Sequence, residues 1–164
     1  MPEKNFHLSR RNFLGLTAVA VLPLSACQTT MQTPGKVAGA SAAAASNVQA
    51  IRSTNGLGGL NADPTLERAA SQQAAYMASA GQMAHTTGWG RSFASRVRDN
   101  EIHGLAAENI AVGRMNIDQL FARWMASPPH RRNMLDPHFT RFGLAYAEST
   151  NGSAERYWAL VLAS

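Results

Sequence analysis

The chain contains a single cysteine, Cys27, which ends an apolar leader near the N-terminus. No disulfide can form within the chain, so the fold must depend on its hydrophobic core. The length of 164 residues favours one domain. A domain of roughly 120 residues buries about two-thirds of the surface of its unfolded chain, so it can fold without a disulfide or a structural metal.

The first 26 residues have the zones of a bacterial export signal, and we predict that they are removed. Residues 9–14 (SRRNFL) resemble the twin-arginine signal, although Gly15 replaces the usual Lys, so general secretion is an alternative route. The apolar stretch over residues 14–24 is too short for a typical membrane-spanning helix. Residues 24–27 (LSAC) resemble a lipobox, in which the cysteine receives the acyl chains.

Cys27 is therefore predicted to be a lipid attachment site, and more than one acyl chain is what stable anchoring requires. We expect a membrane-anchored lipoprotein of the cell envelope, on the periplasmic side or on the outer membrane. Gln28 follows the cysteine and favours the outer membrane, by resemblance to Gram-negative sorting rules. Residues 27–45 are rich in small and polar side chains and are predicted to form a flexible tether. The folded domain is then expected over residues 46–164.

The positive charge of the chain does not indicate a nucleic-acid partner. The net charge is +5, but Glu3, Lys4, Arg10 and Arg11 lie in the export signal. The arginines between residues 91 and 98 alternate with apolar side chains, and we interpret them as a solvated helix face. Because no nucleic-acid docking motif accompanies this charge, we predict no nucleic-acid binding.

Helix signals dominate the first half of the domain. The run Ala42–Ala45 is expected to open a first helix that ends at Asn55-Gly56. Asp63 suits the N-cap of a second helix, Pro64 suits its first position, and Gly81 can end it in a left-handed conformation. A short helix is expected over residues 92–100.

The second half mixes strands with helices, which indicates an α+β fold around a small antiparallel sheet. Asn116 and Gln119 form a variant of the capping box at the start of a helix, and Trp124 on its apolar stripe should be buried. Asn151-Gly152 suits the turn of a hairpin. The other predicted elements are a buried strand over 106–112, a turn or short helix over 130–135, and the two hairpin strands around 142–146 and 158–162.

Generic motifs of catalysis are missing from the sequence. It has no Gly-x-Ser-x-Gly nucleophile elbow, phosphate loop, dinucleotide fingerprint or close histidine pair of the zinc-protease kind. By spacing alone, His85, Glu108 and His130 are scattered single residues. A structural role for each is therefore as open as membership of one site.

Four segments in order carry a resemblance to a known family. They are residues 83–86 (MAHT), 107–110 (AENI), 124–135 (WMASPPHRRNML) and 142–145 (FGLA), the last followed by 157–158 (YW). Together they resemble the CAP superfamily of cysteine-rich secretory proteins, antigen 5 and pathogenesis-related class 1 proteins. The likeness is greatest to its bacterial SCP-like branch and covers residues 46–164. It implies an α-β-α sandwich with a small central antiparallel sheet and a central cleft.

The resemblance also implies a set of cleft residues. His85, Glu108 and His130 match family positions, whereas Ser127 stands where the family has a second glutamate. Members with the full set can bind Zn²⁺ or another divalent ion through the histidines, with Glu108 as a third ligand here. The alternatives are that Ser127 caps a helix beside Pro128, and that Glu108 is a structural carboxylate bonded to backbone amides and a histidine.

Neighbouring side chains have simpler interpretations beside this set. Arg131 or Arg132 could pair with Glu108 or bind an anionic ligand. Trp89 lies between glycines near His85 and is expected to be exposed at the rim of the cleft. His103 and His138 match no family position and are expected at the surface.

Two main functions follow from the resemblance. The first is a non-enzymatic envelope module that binds a lipid, cell-wall or protein ligand in the cleft, with or without a divalent metal. The second is a zinc-dependent hydrolase or peptidase, in which His85 and His130 hold the metal and Glu108 acts as general base. A structural lipoprotein without a small ligand is a third possibility.

Overall fold

A computed structural model of the chain describes residues 1–2 and 35–164. The export signal, the lipobox with Cys27 and the first part of the predicted tether lie outside the described residues. No helix within the described part of the chain is both long and apolar enough to cross a membrane. Residues 35–164 belong to a unit that spans Met31–Ser164.

The predicted helices and strands are present, and two short strands join them. Asn116 and Gln119 form the predicted capping box at the start of the fourth helix. The helices are α1 (Ser41–Thr54), α2 (Pro64–Ala80), α3 (Phe93–Asp99), α4 (Ile117–Ala126) and α5 (Pro128–Met134). The strands are β1 (Val37–Gly39), β2 (Asn61–Ala62), β3 (Ala106–Gly113), β4 (Arg141–Glu148) and β5 (Arg156–Ala163).

The strands form one sheet in the order β1-β4-β5-β3, and these neighbours are antiparallel. β2 pairs in parallel with the first residues of β4. Alternate strand residues pack on opposite faces: Phe142 and Leu144 join one apolar cluster with α1, α4 and α5, and Ala145 joins the other with α2. The α-β-α sandwich with a central sheet is therefore confirmed.

The predicted tether is ordered from residue 37: β1 takes residues 37–39, and α1 begins at Ser41, so the helix expected to open at Ala42–Ala45 is present. Val37–Gly39 pair with β4, and the backbone N–H of Ser41 donates to the Glu67 carboxylate at 3.0 Å. Ala40 and Ala44 are buried in the core although their side chains are small. Small residues in this segment allow the chain to lie close to β4 and α2, which composition alone does not distinguish from flexibility.

The start of α2 is held by its cap and packs directly on β4. The Asp63 carboxylate accepts from the N–H groups of Thr65 and Leu66 and from the Arg141 guanidinium. Burial raises the pKa of Asp63, but these hydrogen bonds and the charge of Arg141 more than offset it, so the pKa is lowered. A Cβ atom at Gly143 would overlap the backbone of Leu66, so this glycine permits the close approach of helix and sheet.

The predicted hairpin is present, with Asn151-Gly152 in the loop that connects its strands. β4 ends at Glu148 and β5 begins at Arg156, and the Ser149 N–H donates to the Glu155 carbonyl at 2.9 Å. Asn151 organises this loop, because its side-chain oxygen accepts from the Ser153 N–H at 3.0 Å. This is the side-chain bonding for which asparagine is favoured in turns.

The outer edge of β3 is covered by side-chain donors from α4 and α5. Alternate carbonyls of an edge strand point away from its partner strand. Asn133 donates to the Glu108 carbonyl at 3.5 Å, Trp124 to Ile110 at 3.2 Å, and Arg123 to Val112 at 3.1 Å. The edge of β3 is thus closed by three different side chains.

Candidate functional site

Two histidines and a buried carboxylate lie around the edge of β3. His85, in the loop after α2, places Nδ1 2.8 Å from Glu108 Oε1 on β3. The Glu108 side chain is 1% exposed, whereas that of His85 is 55% exposed. Since a carboxylate accepts hydrogen bonds, His85 donates through Nδ1–H, and its Nε2 atom is left for another partner.

Arg96 from α3 supplies the charge partner of Glu108. Its Nη2 atom lies 2.6 Å from Glu108 Oε2, and the two side chains are 3% and 1% exposed. The same guanidinium donates to the carbonyls of Arg91 at 2.9 Å and His85 at 3.4 Å. Arg96 therefore neutralises the carboxylate and holds the backbone of the His85 loop.

His130 lies at the start of α5, beside Ser127. His130 Nδ1 is hydrogen-bonded to Ser127 Oγ at 2.8 Å. The Asn109 side chain, on β3, donates to the His130 carbonyl at 3.1 Å and accepts from Asn133 at 2.9 Å. These amide contacts fix α5 against β3, next to the strand residue Glu108.

We call His85, Arg96, Glu108, Ser127 and His130 the histidine site. The two histidines are close enough for the charge of His85 to lower the pKa of His130. Among the described residues, no hydrogen bond uses Nε2 of either histidine. The site thus combines two imidazoles with a carboxylate whose oxygens are both engaged, one of them by His85.

The pKa of His130 is expected to lie below its ordinary value of about 6.5. Burial lowers it most, followed by the charges of His85 and Arg123. A group with a depressed pKa contributes stability that is present above the unfolded pKa and lost as pH falls through the folded one. We therefore expect His130→Gln to reduce the loss of thermal stability between pH 7 and pH 5. An NMR titration of the His130 ring with a midpoint at or above 6.5 would contradict this.

Several sequence expectations are corrected at this site. Arg96, not Arg131 or Arg132, pairs with Glu108, so the arginines of residues 91–98 are not all on a solvated face. Ser127 occupies the N-cap position of α5, but its side chain makes no capping bond and contacts His130 instead. Glu108 is a buried carboxylate bonded to a histidine, as one alternative held, with an arginine in place of the backbone amides.

The remaining side chains lie where the sequence suggested. His103 and His138 are exposed, and Trp124 is buried. Trp89 is 103% exposed in the loop that carries His85.

Comparison with known proteins places this geometry in a family. The sequence profile of the cysteine-rich secretory protein family, CAP, matches residues 45–162.

The chain belongs to the CAP family.

Individual relatives agree with the profile. The uncharacterized protein YkwD of Bacillus subtilis (strain 168) is 30% identical over 122 residues, which cover 74% of this chain. The match covers 48% of YkwD, so this chain spans about half the length of that curated relative. No function carries over from this relative to the present chain.

Two solved structures share the fold. An outer surface protein from Borrelia burgdorferi superposes with a TM-score of 0.66 at 19% identity, covering 78% of this chain and 96% of that one. An extracellular protein with an SCP domain from Bacillus anthracis str. Ames gives 0.61 at 22% identity, covering 71% and 38%. At these identities, the likeness establishes the fold alone.

The residues of this CAP domain do not make up a zinc site. A catalytic zinc ion normally has three protein ligands. His85 and His130 each offer Nε2, but both oxygens of Glu108 are engaged by His85 and Arg96. Within the described part of the chain, no group of three or more histidine, cysteine or acidic side chains could hold a metal.

Two cavities of the CAP domain are lined by residues other than those of the histidine site, although the second borders Ser127 and His130 in the chain. One of about 470 Å³ lies between α1, the start of α4 and the ends of β4 and β5. Another of about 350 Å³ is lined by apolar side chains, among them Met125 and Leu135, and by Arg131 and Arg132. The histidine site is by contrast an open, polar surface at a strand edge.

Proposed function

We propose that this CAP domain is a non-enzymatic binding module of the cell envelope, and that its ligand contacts His85 and His130. The observation that carries the proposal is the engagement of Glu108, which accepts from His85 and Arg96 through separate oxygens. Because the Glu108 side chain is 1% exposed, neither water nor substrate has an open approach to it as a general base. The carboxylate therefore orients His85.

The ligand is expected to donate hydrogen bonds. A neutral imidazole that donates through Nδ1 accepts through Nε2. The contact of His85 Nδ1 with Glu108 leaves Nε2 as the acceptor of the neutral ring, and the lowered pKa of His130 keeps that second ring neutral near pH 7. Hydroxyl, amide and ammonium groups, as found in lipid headgroups and cell-wall polymers, suit such an acceptor at His85. A hydroxyl also suits His130, whose Nε2 accepts when Nδ1 donates to Ser127 and donates when Nδ1 accepts.

The expected location supports an envelope ligand. The names of the two structural neighbours describe an outer surface protein and an extracellular protein. The export signal and lipobox predicted from the sequence support attachment through Cys27, on the periplasmic side or on the outer membrane. Such attachment would keep the domain within reach of lipid or cell wall. A domain held there could act by binding alone, without catalysis.

A co-sedimentation experiment tests this function. The full chain with Cys27→Ser, which cannot be acylated, is incubated with peptidoglycan sacculi or with phosphatidylethanolamine/phosphatidylglycerol vesicles. We expect binding to one of them, weakened about thirtyfold by His85→Ala/His130→Ala, because two hydrogen bonds of about 1 kcal/mol each are lost.

The matched control is His103→Ala/His138→Ala, which removes two exposed histidines outside the site. Binding in this variant should equal that of the parent chain. Failure to bind either material, or equal binding by both double variants, would overturn the proposal.

A further inference from the structure

The loop between α2 and α3 presents an aromatic side chain fully to solvent. Trp89 is 103% exposed, and Met83 in the same loop is also exposed. Gly90 has φ of 71°, a left-handed conformation that glycine adopts without strain. Burying such side chains elsewhere would be favourable, so their exposure on one loop indicates a contact surface.

The base of this loop is fixed, although its tip is exposed. Gln73 donates to the Ala84 carbonyl at 2.6 Å, and Arg96 donates to the Arg91 carbonyl at 2.9 Å. The Arg91 guanidinium stacks on Tyr76 of α2, 4.7 Å from the ring centroid. Trp89 is thus held out from the domain by contacts on both sides of it.

The loop leaves α2 at the end of the domain where the described chain begins. The Thr150 hydroxyl donates to the Ala78 carbonyl, so the end of α2 lies beside the β4–β5 hairpin. At that same end, the Glu148 N–H donates to the Lys36 carbonyl. The first residues of the Trp89 loop therefore lie at the end of the sheet that residue 36 joins, and the loop then returns along α2 to Gln73 and to Glu108 on β3.

We propose that the Trp89 loop inserts into the interfacial layer of the membrane that carries the lipid anchor. This inference rests on the anchored module proposed above. Only residues 28–34 separate Cys27 from residue 35, and the eight steps between these two residues span at most about 29 Å. An acylated Cys27 thus keeps this end of the domain within reach of the bilayer.

The chemistry of the loop suits an interface. Tryptophan is enriched at membrane–water boundaries, where an apolar ring and a polar N–H are both accommodated. Arg91 is exposed two residues from Trp89, and such a cation is attracted to anionic headgroups. Insertion would also bring the neighbouring His85 to the headgroup level.

Tryptophan fluorescence of the acylated protein tests the inference. The chain has three tryptophans, and Trp124 and Trp158 are buried, so Trp89 alone reports on the surface. In phosphatidylethanolamine/phosphatidylglycerol vesicles, we expect a blue-shifted emission, quenching by lipids brominated near the glycerol, and protection from aqueous acrylamide. Trp89→Ala should remove all three signals.

A second measurement tests whether Trp89 contributes to membrane binding itself and not only to the fluorescence signal. In the Cys27→Ser chain, Trp89→Ala should lower vesicle partitioning about tenfold, the scale of burying one large apolar side chain. Leu105→Ala is the matched control, since Leu105 is exposed beside Ser164, at the opposite end of the sheet. Its partitioning should equal that of the parent chain.

The outcomes separate the two proposals. If the acylated protein floats with vesicles while acrylamide still quenches Trp89, the loop is not inserted and this inference is wrong. The proposed binding module is unaffected by that result. A protein that stays in the aqueous layer overturns the lipid anchor and the inference with it. Protection of Trp89 by sacculi but not by vesicles assigns the loop to the cell wall and also overturns the inference.

Discussion

Arg96→Met is expected to lower the free energy of unfolding by about 3–5 kcal/mol, the usual cost of leaving one partner of a buried ion pair alone. The Glu108 and Arg96 side chains are 1% and 3% exposed, so solvent screens their interaction little. Methionine retains much of the volume of the arginine stem but supplies no charge and no hydrogen-bond donor. Urea denaturation monitored by tryptophan fluorescence measures the loss.

Two further variants show whether the charge is the cause. Glu108→Gln in the Arg96→Met background removes the uncompensated carboxylate and should recover most of the lost stability. Arg98→Met is the matched control, because Arg98 is exposed and pairs only with Asp99, its exposed neighbour in the chain. If Arg96→Met is as stable as Arg98→Met, the buried pair contributes nothing to the fold.

Gly143→Ala is expected to destabilise the domain by about 3 kcal/mol, at the upper end of the usual cost of overpacking. The added Cβ would overlap the backbone of Leu66 and Glu67, where α2 meets β4. Backbone cannot rotate aside as a side chain can, so the helix must move away from the sheet. Differential scanning calorimetry should show a clearly lowered Tm.

Gly58→Ala is the matched control for this substitution. A Cβ at Gly58 meets no atom within 4 Å, and its backbone lies outside the left-handed region. The unfolded chain loses freedom when alanine replaces glycine, so the control should be neutral or slightly stabilising. A Tm for Gly143→Ala equal to that of Gly58→Ala would show that helix and sheet are not tightly packed there.

Elements with local chemical signals could be predicted from the sequence. Asp63, Pro64 and Gly81 bound α2, as their preferences for the N-cap, the first position and the left-handed end require. The capping box of Asn116 and Gln119 identified the start of α4 for the same reason. These interactions lie within a few residues of each other, so the sequence displays both partners together.

Short strands at the edge of the sheet could not be predicted in this way. β1 has three residues, among them Ala38 and Gly39, and it forms only because β4 is present beside it. The same composition without that partner would be flexible. Its prediction needs the tertiary pairing of residues 37–39 with 145–147, which no local pattern displays.

The residues of the candidate site were also predictable only in part from the sequence. His85 and Glu108 lie 23 residues apart in the chain. The family resemblance, and not their spacing, predicted that they share one site. Arg96 was missed because it was interpreted as part of a solvated face. A signal was available: Phe93 and Val97 pack against the core, and Arg96 lies three residues after one and next to the other on α3.

The covered edge of β3 affects whether such domains associate with one another when they are concentrated on a surface. Anchoring in a membrane plane raises local concentration, and a sheet with open edges then polymerises by adding strands from neighbouring molecules. Here Asn133, Trp124 and Arg123 occupy the carbonyls of β3, and the opposite edge is divided between β1 and the two-residue β2. Neither edge offers a long template, so dense packing on a surface need not lead to fibres even though no disulfide locks the fold.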